Sequence, residues 1–350
     1  MLRRISNFLT SSWTTLLLFG AIVTGSLVGL TSSSTGATLG NGVDLTVLGL
    51  IFLLFFGLRL QRFSFQHGDG RFVLLAWCTN FLIVPAIGFL IASMFLAGKP
   101  LFFTGVIIYF MAPCTDWFLG FTRLAHGNTR LGSLLIPVNM ATQLLLYPVY
   151  LTLFTQWHSG FEITIARDTL LQWFVIPLLA ARALHLVLQR ALPTTLFAST
   201  LDTVARVIPF VIAVLVVQIF AANIPTIADH LSVVTLILAA VFVFFITTYV
   251  MGDWLSRHFR LSYPDRALLA MITAARNAPL MLGVTVVAIP NEPLVYAAII
   301  IGMLVEFPHL ATLTKLLDRQ RRNVTEQPGT ALLAEHRHRS GLDVVAVPDG

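Results

Sequence analysis

Long apolar runs separated by short polar breaks dominate the chain, and ten of them reach the length of about 20 residues that a helix needs to cross a bilayer. They fall at roughly 13–30, 43–60, 72–97, 101–126, 131–155, 168–189, 203–222, 231–251, 263–289 and 292–316. The pattern predicts an all-α polytopic membrane protein. Two runs are interrupted at their centres. In the fourth, Ile107-Ile-Tyr-Phe-Met-Ala-Pro-Cys-Thr-Asp-Trp-Phe118 sets Pro113, Cys114, Thr115 and Asp116 within apolar sequence, and in the ninth Arg276-Asn277-Ala278-Pro279 does the same. Proline removes a backbone hydrogen bond and pushes the residue before it out of helical geometry, and hydrocarbon offers no water to repair the loss. Each break must therefore lie against protein or a wet cavity.

Spans six to ten repeat the plan of spans one to five, with the broken run fourth in each set. This predicts two inverted five-helix repeats, residues 1–155 and 156–322, with a transport site where the two breaks approach each other. Residues 323–350, with few aromatics and mixed charge, are expected to be a disordered cytoplasmic tail. The first run lacks a cleavage signal and is expected to be a first membrane helix. Thr31 to Gly42, rich in serine and glycine and uncharged, reads as a flexible linker, and Gly127 as the C-cap of the fourth span.

Several polar residues stand out at membrane depth. Pro113 and Pro279 are each placed to be the first helical residue of a second half-helix, with Asn277 as the cap of the latter. The partly positive ends of the half-helices would then face a solute near the midplane. Cys114 and Thr115 are expected in the first turn of one of them, where a thiolate is favoured; the competing account of Cys114 is a small apolar filler. Cys78 has no such setting and is read as core. A guanidinium at mid-depth needs an acid, carbonyls or water, and Asp116 is the expected partner of Arg276 in a structural ion pair. Glu306 then stands as a separate carboxylate suited to taking up and releasing a proton, unless it only bonds a neighbouring helix. His309 is read as a simple polar residue toward the cytoplasmic end. Asn80, upstream of Pro85, either makes an interhelical hydrogen bond or lines the cavity. Asn139, Thr142 and Gln143 share one helical face.

Composition sharpens this picture. Of 350 residues, 57% are hydrophobic and 11% charged, with a mean hydropathy of +0.84, which excludes a soluble domain carrying one apolar helix. The net charge of +6 is spread over span ends instead of forming the patch that nucleic acid requires. Basic residues crowd alternate loops, among them Arg59, Arg62, Arg123, Arg130, Arg257 and Arg260, whereas the opposite loops carry only Lys99 and Arg167. The positive-inside rule then sets both termini in the cytoplasm and agrees with ten spans. Two cysteines are too few for a disulfide scaffold or a multi-cysteine zinc site, and no cofactor is expected. There is no His-Glu-x-x-His pair or nucleophile motif, so an enzyme is not expected.

At Ala112-Pro-Cys-Thr115, Leu124-Ala-His-Gly-Asn128, Thr273 to Asn277 and Gly302-Met-Leu-Val-Glu-Phe-Pro308 the chain resembles the superfamily of the bile acid:sodium symporters and the arsenite efflux permeases. The resemblance covers nearly all ten spans and implies two inverted five-helix repeats with broken, crossing helices four and nine. Within it the arsenite permeases look closest, and their essential cysteine and glutamate carry over onto Cys114 and Glu306. Their helix-three Asn-Trp-x-x-x-Pro pattern is similar to Asn80-Phe-Leu-Ile-Val-Pro85. In the sodium-coupled branch a sodium-binding glutamate aligns with Ile272, a glutamine with Arg276, and the helix-four Ser-Asn ligands with Phe118 and Leu119. An arginine there repels a hard cation, so sodium coupling is disfavoured. The chain departs from the arsenite permeases at Asp116, where they have a small residue, and at Arg276, where they have asparagine.

The resemblance implies a cell-membrane exporter of arsenite or a similar trivalent metalloid in exchange for protons, with the lipid bilayer as its setting. Cys114 would bind the metalloid and Glu306 exchange the proton, with Asn277, Thr115 and Asn80 completing the site. The alternative is an organic-anion carrier in which Arg276 binds a substrate carboxylate and Cys114 is incidental.

Overall fold

The structure, a computed structural model, describes residues 2–57, 66, 68–115, 117–155 and 175–325, and its regular elements there are all helical. They run α1 (Leu2–Thr31), α2 (Ser33–Gly40), α3 (Val43–Phe56), α4 (Asp69–Cys78), α5 (Val84–Phe95), α6 (Pro100–Met111), α7 (Trp117–Leu124), α8 (Thr129–Thr155), α9 (Ile176–Ala191), α10 (Thr194–Ala228), α11 (Leu231–His258), α12 (Tyr263–Ala274), α13 (Ala278–Ala288) and α14 (Pro293–Thr325).

Among the described residues five helical spans are long and apolar enough to cross a bilayer: Trp13–Thr31, Asp69–Phe95, Thr194–Ala228, Leu231–His258 and Pro293–Arg322. The bent pair α2–α3, with 41° between its parts, makes a sixth if it counts as one span, and α6 and α13 are shorter apolar helices. Large apolar side chains point outward, with Leu45 76%, Met94 78% and Leu145 75% exposed, an arrangement suited to hydrocarbon and not to water. The chain is a multi-pass membrane protein.

The helix α14 runs through the interior, where it touches α1, α6, α7, α10, α11, α12 and α13. Its apolar window is 72% buried, against 28% for Trp13–Thr31, so α14 is the axis on which the others pack. One end of the bundle is tied by polar contacts. Asn128 donates its backbone N–H to the Pro264 carbonyl (2.9 Å) and its side-chain amide to Asp265 (2.8 Å), and Arg130 makes a two-pronged contact with Asp69 at 2.6 and 2.7 Å. The Tyr263 hydroxyl bridges the carbonyls of Ala125 (2.9 Å) and Leu317 (3.0 Å). These bonds hold α4, the α7–α8 turn, α12 and α14 as one block.

Three sequence expectations change. The linker from Thr31 to Gly42 contains helix α2, because Ser32 adopts an extended conformation and its hydroxyl accepts the Thr35 N–H as an N-cap. Close approach to α10 then holds the helix: a Cβ on Gly36 would stand 2.3 Å from the Ala221 carbonyl oxygen. At the end of α7 the left-handed residue is His126 (φ 57°), and Gly127 follows it to donate its N–H to the Thr122 carbonyl at 2.8 Å. The last helix continues to Thr325, three residues into the expected tail, while 326–350 lie outside the described residues, as do 156–174 at the junction of the two expected repeats.

Candidate functional site

Both central interruptions are present, and they meet. Helix α6 stops at Met111 and α12 at Ala274, after which Ala112 (φ −102°, ψ 108°) and Ala275 (φ −75°, ψ 136°) turn extended. Pro113 and Arg276 form an antiparallel bridge. The Cys114 N–H donates to the Ala275 carbonyl at 3.1 Å, and the Asn277 N–H donates to the Ala112 carbonyl at 2.9 Å. Backbone groups that neither helix can satisfy are thus satisfied by the other break, the condition for leaving helical geometry at membrane depth.

This pairing corrects the expected half-helix geometry. Pro113 is an extended bridge residue, and the second half-helix begins only at Trp117. Cys114 and Thr115 therefore precede that helix instead of occupying its first turn. Cys114 is 1% exposed and Thr115 2%. Asn277 stands at the N-cap position of α13 without a side-chain cap hydrogen bond. Its amide Nδ2 donates instead to Thr115 Oγ1 at 3.2 Å, joining the two breaks a second time.

Arg276 is fully buried. Its Nη1 donates to the Phe110 carbonyl (2.9 Å), and its Nη2 to the carbonyls of Ile272 (3.2 Å) and Thr273 (2.6 Å). These oxygens belong to the last turns of α6 and α12, which lack in-helix donors and carry partial negative charge. The guanidinium carbon lies 5.7 Å from the ring centroid of Phe244, which stacks on Phe110 at 3.9 Å. Asp116, the expected partner, lies outside the described residues. Carbonyls thus meet both Nη groups.

Glu306 is 2% exposed, and its contact with Arg276 is to the backbone and not to the guanidinium. Its Oε1 accepts the backbone N–H of Arg276 at 2.9 Å, and its Oε2 takes a long contact of 3.5 Å from the Tyr109 hydroxyl. The carboxylate on α14 is thereby fastened to the break itself.

Asn80 lies in a π-helical stretch, Thr79–Ile83, immediately before Pro85 in the α4–α5 span. The wider turn accommodates the N–H that proline lacks. Asn80 is fully buried and neither of its amide atoms has a partner among the described residues; the same holds for Asn139. Gln143 is buried too, its Nε2 on the Met140 sulfur at 3.2 Å. Thr142, at the helical spacing of the same face, accepts the Trp77 indole N–H at 3.0 Å through its hydroxyl. His309 is no solvated polar residue: its ring stacks on Phe245 at 3.9 Å.

Sequence reasoning missed Tyr109, Phe244 and the carbonyl of Phe110. Tyr109 and Thr104 carry the two hydroxyls of α6, and Tyr109, the nearer to the break, was a signal that was present. A carbonyl acceptor leaves no mark in sequence, and Phe244 is one phenylalanine among 27.

The family model described as the sodium bile acid symporter family matches residues 45–228, just over half of the chain and including the first break. No curated protein matches the chain. The chain belongs to the sodium bile acid symporter family and is a membrane transporter.

Proposed function

We propose that this transporter exports arsenite or a similar trivalent metalloid in exchange for protons. Cys114 binds the metalloid. Its thiol displaces one hydroxyl of As(OH)3 as water, so an S–H and an As–O bond break while an As–S and an O–H bond form, and release reverses the step. Soft sulfur suits a thiophilic centre. Glu306 carries the exchanged proton, and Thr115, Asn277 and Asn80 shape the rest of the site. The architecture that serves this cycle is ten helices in two inverted repeats, 1–155 and 156–322, in the cell membrane with both termini cytoplasmic. One bundle rocks against the crossed broken helices.

The observation that carries the reading is a shared backbone segment. Cys114 is bonded to Ala275, and the next residue, Arg276, donates its N–H to Glu306. A charge change at Glu306 therefore bears on the extended segment paired with the thiol-bearing break, which is the coupling an exchanger needs. The family match keeps an organic-anion carrier in view, with Arg276 as carboxylate ligand. Against it, both Nη groups of Arg276 are already bonded to carbonyls.

Expression in an arsenite-sensitive host tests the proposal. The wild-type chain is expected to restore growth on arsenite and Cys114→Ser to abolish it. Equal resistance from both, or from neither, refutes the mechanism. Organic-anion uptake that survives Cys114→Ser and fails in Arg276→Gln establishes the carrier instead.

A further inference from the structure

Three backbone carbonyls converge on one positive charge at the centre of the protein. Phe110 supplies one from the last turn of α6, and Ile272 and Thr273 supply two from the last turn of α12, at 2.9, 3.2 and 2.6 Å from the Nη atoms of Arg276. Both helix ends are electronegative, and both are sealed from solvent. In carriers built on broken helices, half-helix C-termini and unwound carbonyls are the groups that coordinate a coupling cation. Here the oxygens close on a side chain of the protein itself. The guanidinium is always charged, is fully buried, and is backed by the Phe244 ring at 5.7 Å. The same residue's N–H holds the Glu306 carboxylate.

We propose that Arg276 is a tethered substitute for an inorganic coupling cation. Its guanidinium permanently fills a monovalent-cation site formed by the Phe110, Ile272 and Thr273 carbonyls, and deleting the side chain opens that site to sodium or to free guanidinium. A charge fixed to the backbone never dissociates, so it neutralises the two helix ends in every conformation without drawing on an ion gradient. The driving force must then enter through another ion. This inference holds whichever substrate the transporter carries.

Thermal unfolding of purified protein in detergent tests it without any substrate. The wild-type chain is expected to unfold at the same temperature in sodium, potassium and choline chloride at matched ionic strength. Arg276→Ala is expected to unfold lower in choline and to gain about 2–4 °C in saturating sodium or dilute guanidinium. Arg276→Lys, whose ammonium refills the site, is expected to be insensitive to the cation. An alanine variant equally stable in sodium, guanidinium and choline overturns the proposal. Arg276→Gly serves if the alanine variant fails to accumulate. Failure of both overturns the proposal as well, because cellular sodium and potassium are available to fill a vacated cation site.

Discussion

Replacing Glu306 by glutamine and by leucine separates two roles that one carboxylate combines. Its Oε1 accepts the Arg276 N–H at 2.9 Å, and its Oε2 faces the Tyr109 hydroxyl at 3.5 Å. Glutamine keeps both contacts: the amide oxygen faces the N–H, and the amide nitrogen donates to the tyrosine hydroxyl, which reverses its polarity. Only the charge and the titratable proton are lost. Leucine keeps the volume and removes both acceptors, leaving the N–H of the break orphaned at a site where Glu306 is 2% exposed. An unsatisfied buried donor costs about 1–3 kcal/mol.

Glu306→Leu is therefore expected to unfold below Glu306→Gln, by roughly 1–4 °C for a chain of this length. Intrinsic fluorescence of the six tryptophans during heating in detergent reads that gap. Transport driven by a pH gradient is expected to vanish in both variants, since neither carries a proton at residue 306. A leucine variant as stable as the glutamine one refutes the claim that Glu306 fastens the break. A glutamine variant that still responds to the pH gradient refutes its role as proton carrier.

Two further changes probe the packing and the second tie between the breaks. In Gly36→Val the new Cβ would meet the Ala221 carbonyl at 2.3 Å, so α2 and α10 must part by roughly 1 Å to reach an ordinary C···O approach, at a cost of about 1–3 kcal/mol. An unchanged unfolding temperature disproves that close approach. A double-mutant cycle of Thr115→Val with Asn277→Leu is expected to give a coupling energy of about 0.5–1.5 kcal/mol, since each single change removes the same 3.2 Å hydrogen bond; additivity would show that the bond contributes nothing.

What was legible in the sequence depended on whether the determinant was local. Proline at 113 and 279 and charge at 276 are visible against apolar surroundings, and both breaks occur there. Their width was not visible. Two prolines read as two helix starts, yet the first break is held extended from Ala112 by pairing with the second break, Cys114 on Ala275 and Asn277 on Ala112, far away along the chain, which no local pattern encodes. The partner of Arg276 illustrates the same limit. A search for compensating charge finds Asp116, because side chains are what a sequence displays. The acceptors seen are main-chain oxygens, which every residue carries and only helix ends expose. Ser32 to Gly40 failed in the opposite direction: small flexible residues read as linker, but the same lack of side chain lets Gly36 sit against Ala221, and that contact outweighs the intrinsic preference against helix. The residues named as a candidate site were thus found through their side chains, while the geometry that joins Cys114 to Glu306 runs through the backbone of Ala275 and Arg276. Cys114→Ser and Glu306→Gln therefore test the chemistry, and Glu306→Leu, which also breaks the Glu306–Arg276 N–H bond, tests the coupling between them.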